Sequence, residues 1–206
     1  MRNAVIDYDM GNLGSVAKAL RFHGVEPEYV TKPAELAASG AAILPGVGNF
    51  GDGMENLRSS GMAEAVCDFI RAGKPLLGIC LGMQMLLESS EEAPGVAGLG
   101  IFSGGCRRFP DGSLKVPQIS WNVARFAPCP LAEGLPEEPY FYFVHSYYVP
   151  TAEYTLAVSE YIVPFSAAIG RGNCFATQFH PEKSQDTGLL LLKNFIALAG
   201  RTEGTC

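Results

Sequence analysis

Three histidines, one tryptophan and no Cys-x-x-Cys pair occur in 206 residues, and each scarcity excludes something. The six cysteines, at 67, 80, 106, 129, 174 and 206, lack the spacing of a zinc site or a dithiol redox motif. A disulfide framework does not suit a chain of this size without secretory features. No metal and no cofactor is expected. No apolar run approaches the roughly 18 residues of a spanning helix. The opening Met1-Arg2-Asn3-Ala4-Val5-Ile6-Asp7 is too short and too acidic for a signal peptide, so a cytoplasmic location is expected. Cations are in deficit, 15 Lys and Arg against 21 Asp and Glu, for a net charge of −6. A nucleic-acid surface needs the opposite balance, and an acidic surface gains nothing from an anionic membrane. Any histidine chemistry must use His23, His145 or His180.

What is present is enough apolar residue, 48%, to fold and bury a sizeable core. The first ninety residues alternate apolar runs with helical spacing. Strands are predicted at Asn3–Asp7, Glu28–Thr31, Ala41–Leu44 and Pro75–Ile79, and helices at Asn12–Phe22, Met62–Ala72 and Leu81–Glu88. Asn12 is placed to cap the first helix, and Gly24 and Gly73 to stop the first two. This alternation predicts a parallel sheet covered on both faces. After Gly104 the texture turns to strands, at Cys106–Phe109, Val116–Phe126, Tyr140–Tyr148, Tyr154–Ser159 and Ser166–Gln178. Turn signals such as Asp111-Gly112 and Gly170-Arg171-Gly172 interrupt this half. A last amphipathic helix is predicted over Thr187–Leu198. The whole reads as one α/β domain over residues 1–206.

Pro75-Leu76-Leu77-Gly78-Ile79-Cys80-Leu81-Gly82-Met83-Gln84 runs from an apolar strand through Gly-x-Cys-x-Gly into a helix. That is a nucleophile elbow with sulfur in place of oxygen. Gly78 and Gly82 relieve the crossing of strand and helix, and the helix N-terminus favours a thiolate. An arbitrary cysteine is more often a buried structural residue. Cys67, Cys106, Cys129, Cys174 and Cys206 are read that way. A thiol nucleophile needs a base. His180 in Gln178-Phe179-His180-Pro181-Glu182-Lys183-Ser184 has Glu182 two residues on to orient its ring. His145, in an aromatic strand-like run without a nearby acid, is the rival base, or else a pocket wall. His23, near a helix end, is read as solvated. Leu44-Pro45-Gly46-Val47-Gly48-Asn49-Phe50 follows a strand with two glycines that allow close backbone approach. The N–H of Val47 or Gly48, with that of Leu81, could converge on a developing oxyanion.

Together the Cys80 elbow and Phe179-His180-Pro181-Glu182 resemble the class I, triad-type glutamine amidotransferases, with Cys80, His180 and Glu182 as the catalytic triad. Four segments narrow the likeness to the family of glutaminase subunits of imidazole glycerol phosphate synthases: Ile6–Val16, Leu44–Phe50, Tyr142–Tyr148 and His180–Ser184. The likeness runs from Ile6 to the last helix. Two places depart from it. Pro117-Gln118-Ile119-Ser120-Trp121-Asn122 carries Gln and Ser where the family has His and Gly, and Asp9 replaces a Gly. The resemblance implies a flavodoxin-like fold on a mixed, mostly parallel sheet flanked by helices, with extra antiparallel strands in the second half. It implies hydrolysis of L-glutamine to glutamate and ammonia, and a (β/α)8-barrel cyclase as heterodimer partner, in histidine biosynthesis. It places Gly46, Val47, Gly48 and Leu81 around the oxyanion and Gln84, Val144, Ser146 and Tyr147 around the substrate. Tyr8, Asn12, Trp121, Asn122 and Lys183 are implied at the partner face, and the Val47–Gly48 peptide is implied to turn before its N–H can serve. Related glutaminases of other pathways, and cysteine hydrolases on a similar sheet, are the competing readings.

Overall fold

Side chains alternate across a strand, so a strand buried on both faces must be apolar throughout, as Ala41–Leu44 and Leu76–Ile79 are. In the computed structural model, residues 2–112 and 114–201 are described, the last without its side chain. The alternating half runs β1 (Asn3–Ile6), α1 (Leu13–Phe22), β2 (Pro27–Val30), α2 (Pro33–Ala37), β3 (Ala41–Leu44), α3 (Phe50–Ser59), α4 (Met62–Arg71), β4 (Leu76–Ile79) and α5 (Leu81–Met85). The remainder is β5 (Ser89–Ser90), β6 (Gly105–Arg108), β7 (Gln118–Val123), β8 (Arg125–Phe126), β9 (Tyr140–His145), β10 (Tyr147–Tyr148), β11 (Thr155–Glu160), β12 (Pro164–Arg171), β13 (Cys174–Thr177) and α6 (Gln185–Arg201).

The main sheet has the order β2-β1-β3-β4-β13-β12-β11-β8. Its first five strands are parallel, and β12, β11 and β8 add antiparallel to one side. Ala4, Ile6, Ala42, Leu44 and Leu76 face a core shared with α2 to α5. Val5, Ile43, Leu77 and Ile79 face the opposite core, closed by α1 and α6. This is the α/β architecture expected, with helices on both faces.

The second half differs from its prediction in how strands divide. Val116–Phe126 splits into β7, which pairs only with β9 in a two-stranded ribbon, and β8, on the edge of the main sheet. Tyr140–Tyr148 breaks at Ser146 into β9 and β10, the latter pairing with β6. The predicted turn near Gly172 forms, with Gly172 at φ 59°. Helix α3 was not foreseen, because Gly51 and Gly53 disguise it. Asn49 caps it, its side chain accepting the N–H of Gly51 at 2.7 Å, and a Cβ on Gly53 would lie 3.0 Å from Leu81. The glycine there lets α3 approach the elbow closely. Among the described residues no helix is long and apolar enough to cross a membrane.

Candidate active site

Strand β4 delivers Cys80 at its C-terminal end, where β13 runs alongside in parallel register, Thr177 opposite Ile79. The Cys80 N–H donates to the Thr177 carbonyl at 2.8 Å. Cys80 then takes φ 56°, ψ −107°, a left-handed turn that L-residues adopt only under strong constraint. A Cβ on Gly82 would sit 2.0 Å from the Leu44 carbonyl oxygen, and one on Gly78 3.0 Å from the Gly82 backbone. These two glycines allow the elbow to close, with Cys80 7% exposed at the start of α5.

His180 arrives from the end of β13. Pro181 restricts it to extended backbone, here φ −97°, ψ 94°. Phe179 stacks on Phe141 at 3.9 Å between ring centroids. The His180 N–H donates to the Tyr142 carbonyl at 3.0 Å, while the Ser184 hydroxyl donates to the His180 carbonyl at 2.6 Å and accepts the Tyr142 N–H at 3.0 Å. The His180 backbone is thus tied to β9 through both its N–H and its carbonyl. Its Nδ1 donates to Glu182 Oε1 at 2.8 Å, both side chains being almost fully buried. Burial alone would lower the His180 pKa, but hydrogen bonds to Cys80 and Glu182 and their negative charge outweigh it and raise it to about 10. Both partners favour the protonated ring.

The sulfur opens into a cavity of about 440 Å³ whose lining includes Val47, Gly48, Leu81, Gln84, Val144, Ser146, Tyr147 and His180. Residues expected around the substrate therefore meet at one cleft with Cys80. Gly46 lies behind it, buried. The Leu81 N–H is engaged by the Gly46 carbonyl oxygen at 3.3 Å. A trans peptide points its C=O and N–H in opposite directions. With the Gly46 carbonyl on Leu81, the Val47 N–H faces away from that position. The Gly46–Val47 peptide, whose carbonyl holds Leu81, thus presents no N–H beside it.

Glu92 also lines the cavity and was missed. Its carboxylate accepts the Phe50 N–H at 2.8 Å, and burial raises its pKa. A lone Glu in Ser-Glu-Glu-Ala carries no sequence signal of this. His145 lines the wall, its Nδ1 donating to the Tyr147 carbonyl at 2.8 Å. Burial lowers its pKa to about 4, so it stays neutral, and Glu182 sits on His180 instead. His23 is not simply solvated, because its Nε2 donates to the Leu189 carbonyl at 2.8 Å.

The residues expected at a partner face divide. Trp121 is 44% exposed and Lys183 is exposed at the cavity rim. Tyr8 is only 2% exposed, which corrects its placement: its hydroxyl donates to the Pro45 carbonyl at 2.8 Å and supports the loop before Gly46. Asn12 caps α1, its side chain accepting the Ser15 N–H. Asn122 donates to the Glu160 carbonyl at 2.8 Å, tying β7 to β11. Among the other cysteines, Cys106 and Cys174 are buried, with pKa values raised by burial, Cys174 to about 12. Cys67 and Cys129 are half-buried, and Cys206 lies outside the described residues.

Comparison with known proteins identifies the family. The sequence pattern of the family described as glutamine amidotransferase class-I matches residues 4–198. The imidazole glycerol phosphate synthase subunit HisH of Desulfitobacterium hafniense (strain DSM 10664 / DCB-2) is 49% identical over 93% of this chain and 92% of its own length. The HisH subunit of Methanosarcina mazei is 46% identical over 96% and 98%. Among solved structures, a glutamine amidotransferase superposes with a TM-score of 0.76 at 22% identity, covering 96% of this chain and 98% of its own. PurLQS from Thermotoga maritima does so with 0.77 at 21%, with the same coverage. At those identities the structures speak for the fold alone, and the sequence match over nearly the full length decides the family. The chain belongs to the class-I glutamine amidotransferases.

Proposed function

We propose that this chain is the glutaminase subunit of an imidazole glycerol phosphate synthase, with Cys80 as nucleophile, His180 as acid and base, and Glu182 as the orienting carboxylate. The observation that carries the chemistry is the buried Cys80–His180–Glu182 array, with its imidazolium-favouring ring, at the floor of a cavity open to solvent. The near full-length HisH relatives support the pathway.

The thiolate attacks the glutamine side-chain carbonyl and forms the S–C bond. The C–N bond breaks as His180 passes its proton to the leaving nitrogen, so ammonia departs and a thioester remains. Water, giving its proton to His180, then releases glutamate and returns the thiol. Turning of the Gly46–Val47 peptide frees the Leu81 N–H and adds the Val47 N–H beside it, supplying the oxyanion donors. Glu92 is the carboxylate of the lining suited to a substrate ammonium. Gln84, Val144, Ser146 and Tyr147 frame the remaining polar end.

Ammonia is a nucleophile only while unprotonated, and water at neutral pH would convert it to ammonium. A partner that receives it directly avoids that loss. The β7–β9 ribbon offers the place. Tyr142 and Val144 of β9 line the cavity, and their cross-strand neighbours Trp121 and Ile119 are 44% and 60% exposed. A (β/α)8-barrel cyclase seated on that ribbon would sit over the cavity mouth, in a cytoplasmic heterodimer.

Cys80→Ser tests the assignment. With the cyclase present, glutamine-dependent synthesis should fall at least about a thousandfold, while synthesis from added ammonium salts persists. Loss of both activities would show that Cys80 supports folding or assembly instead.

A further inference from the structure

The Cys80 sulfur has neighbours other than His180. The Val144 carbonyl lies 3.8 Å away and can accept the thiol hydrogen. Once the proton leaves, that carbonyl presents its negative end to an anion. The Gln178 amide stands at the same distance, 3.8 Å, where the parallel register of β13 beside β4 brings it alongside the elbow. An amide has two ends of nearly equal shape, and which one faces the sulfur decides the sign of the interaction.

Obligate acceptors settle the orientation. The Tyr147 carbonyl can only accept, and it takes the His145 Nδ1–H at 2.8 Å and a Gln84 Nε2–H at 3.0 Å, filling both lone pairs. The Gln84 nitrogen is therefore turned to this wall, and its second hydrogen goes to Gln178 Oε1 at 3.1 Å. With its oxygen committed, Gln178 presents its nitrogen to the sulfur. The chain continues outward. There Gln118 Oε1 lies 3.1 Å from His145 Nε2. At its other end the Gln118 amide nitrogen donates to the Ser120 hydroxyl at 3.3 Å. Gln178 and Gln118 are fully buried, where an amide turned the wrong way would cost a hydrogen bond with no water to replace it.

We propose that Gln178 is a fourth participant at the reacting centre, an N–H donor to the Cys80 thiolate whose polarity is enforced by Gln84 and the Tyr147 carbonyl. Gln178 offsets the Val144 carbonyl dipole, and the array anchors in β7, the strand that also carries the exposed Ile119 and Trp121. The inference rests on the glutaminase reading only in taking Cys80 as the nucleophile.

Alkylation of Cys80 by iodoacetamide, followed on its own peptide by mass spectrometry across pH, isolates this role. Displacement of iodide needs the thiolate but no oxyanion hole and no proton for a leaving amine. For Gln178→Met the inflection should rise by about one pH unit, making alkylation about tenfold slower on the rising limb, with the high-pH plateau unchanged. Gln84→Met leaves Gln178 in place but frees its amide to turn; it should give a smaller shift of the same sign and carries the test should Gln178→Met not fold. Superimposable profiles, or a lowered plateau with an unmoved inflection, would overturn the proposal, the latter by showing a packing role. A wild-type chain that shows the alkylation shift on mutation yet never turns over glutamine with a cyclase would sink the glutaminase reading alone.

Discussion

His180 and Glu182 are two residues apart in sequence and nearly excluded from water, so their pairing ties chemistry to stability. The His180 pKa is raised from 6.5 to about 10 in the fold. A proton held more tightly when folded stabilises the fold fully below about 6.5, and that contribution drains away as pH climbs through about 10. Glu182→Gln keeps the shape and removes the anion. Urea unfolding should show the variant less stable than the wild type by about 2 kcal/mol near pH 6, with the gap narrowing toward pH 10. An equal gap at both pH values would mean that the carboxylate contributes only packing. The proposed triad could be named from the sequence because its members carry local signals: glycines around Cys80, a proline fixing His180, an acid within reach. Glu92, Gln118 and Gln178 were not picked out as site residues, because their roles arise from what β9, β13 and the 89–106 segment bring beside them, and no local spacing encodes that.

At the scale of elements, glycines separate positions that must be bare from positions that merely are. Gly82 in α5 would drive a Cβ to 2.0 Å from the Leu44 carbonyl oxygen, whereas Gly14 in α1 has nothing within 4 Å and is exposed. Gly82→Ala must push β3 and α5 apart, and chemical denaturation should register a loss of about 3 kcal/mol or more. Gly14→Ala should instead stabilise by about 0.5–1 kcal/mol, the ordinary helix preference for alanine. Similar values for the two would contradict the close crossing at the elbow. The same contrast explains which elements could be read in advance. The helices α1 and α4 and the strands β1 to β4 follow from periodicity and stop signals, because each buries a face of its own. Helix α3 hid behind Gly51 and Gly53, which tertiary contact demands and propensity opposes. The predicted Val116–Phe126 and Tyr140–Tyr148 strands divide because one apolar run serves two sheets, a choice made by pairing partners far along the chain.

For the whole molecule, the open question is what covers the β7–β9 ribbon. Ile119, Trp121 and Tyr140, 60%, 44% and 55% exposed, share one face beside the cavity mouth, and Trp121 leans on Tyr142 at 6.0 Å between ring centroids. Apolar surface gathered around a tryptophan marks an interface more often than chance. Trp121 is the chain's one tryptophan, so its fluorescence reports directly on that face. Binding of a barrel cyclase should shift its emission to the blue as water leaves the indole. Trp121→Ala, which removes a side chain the isolated fold leaves partly in solvent, should keep the unfolding midpoint close to the wild type. Sedimentation should then show affinity for the cyclase weakened by about tenfold or more, as for a central aromatic anchor. Unchanged affinity together with an unshifted emission would place the partner elsewhere on the molecule. Ammonia would then have to leave by a route other than the mouth framed by Tyr142 and Val144.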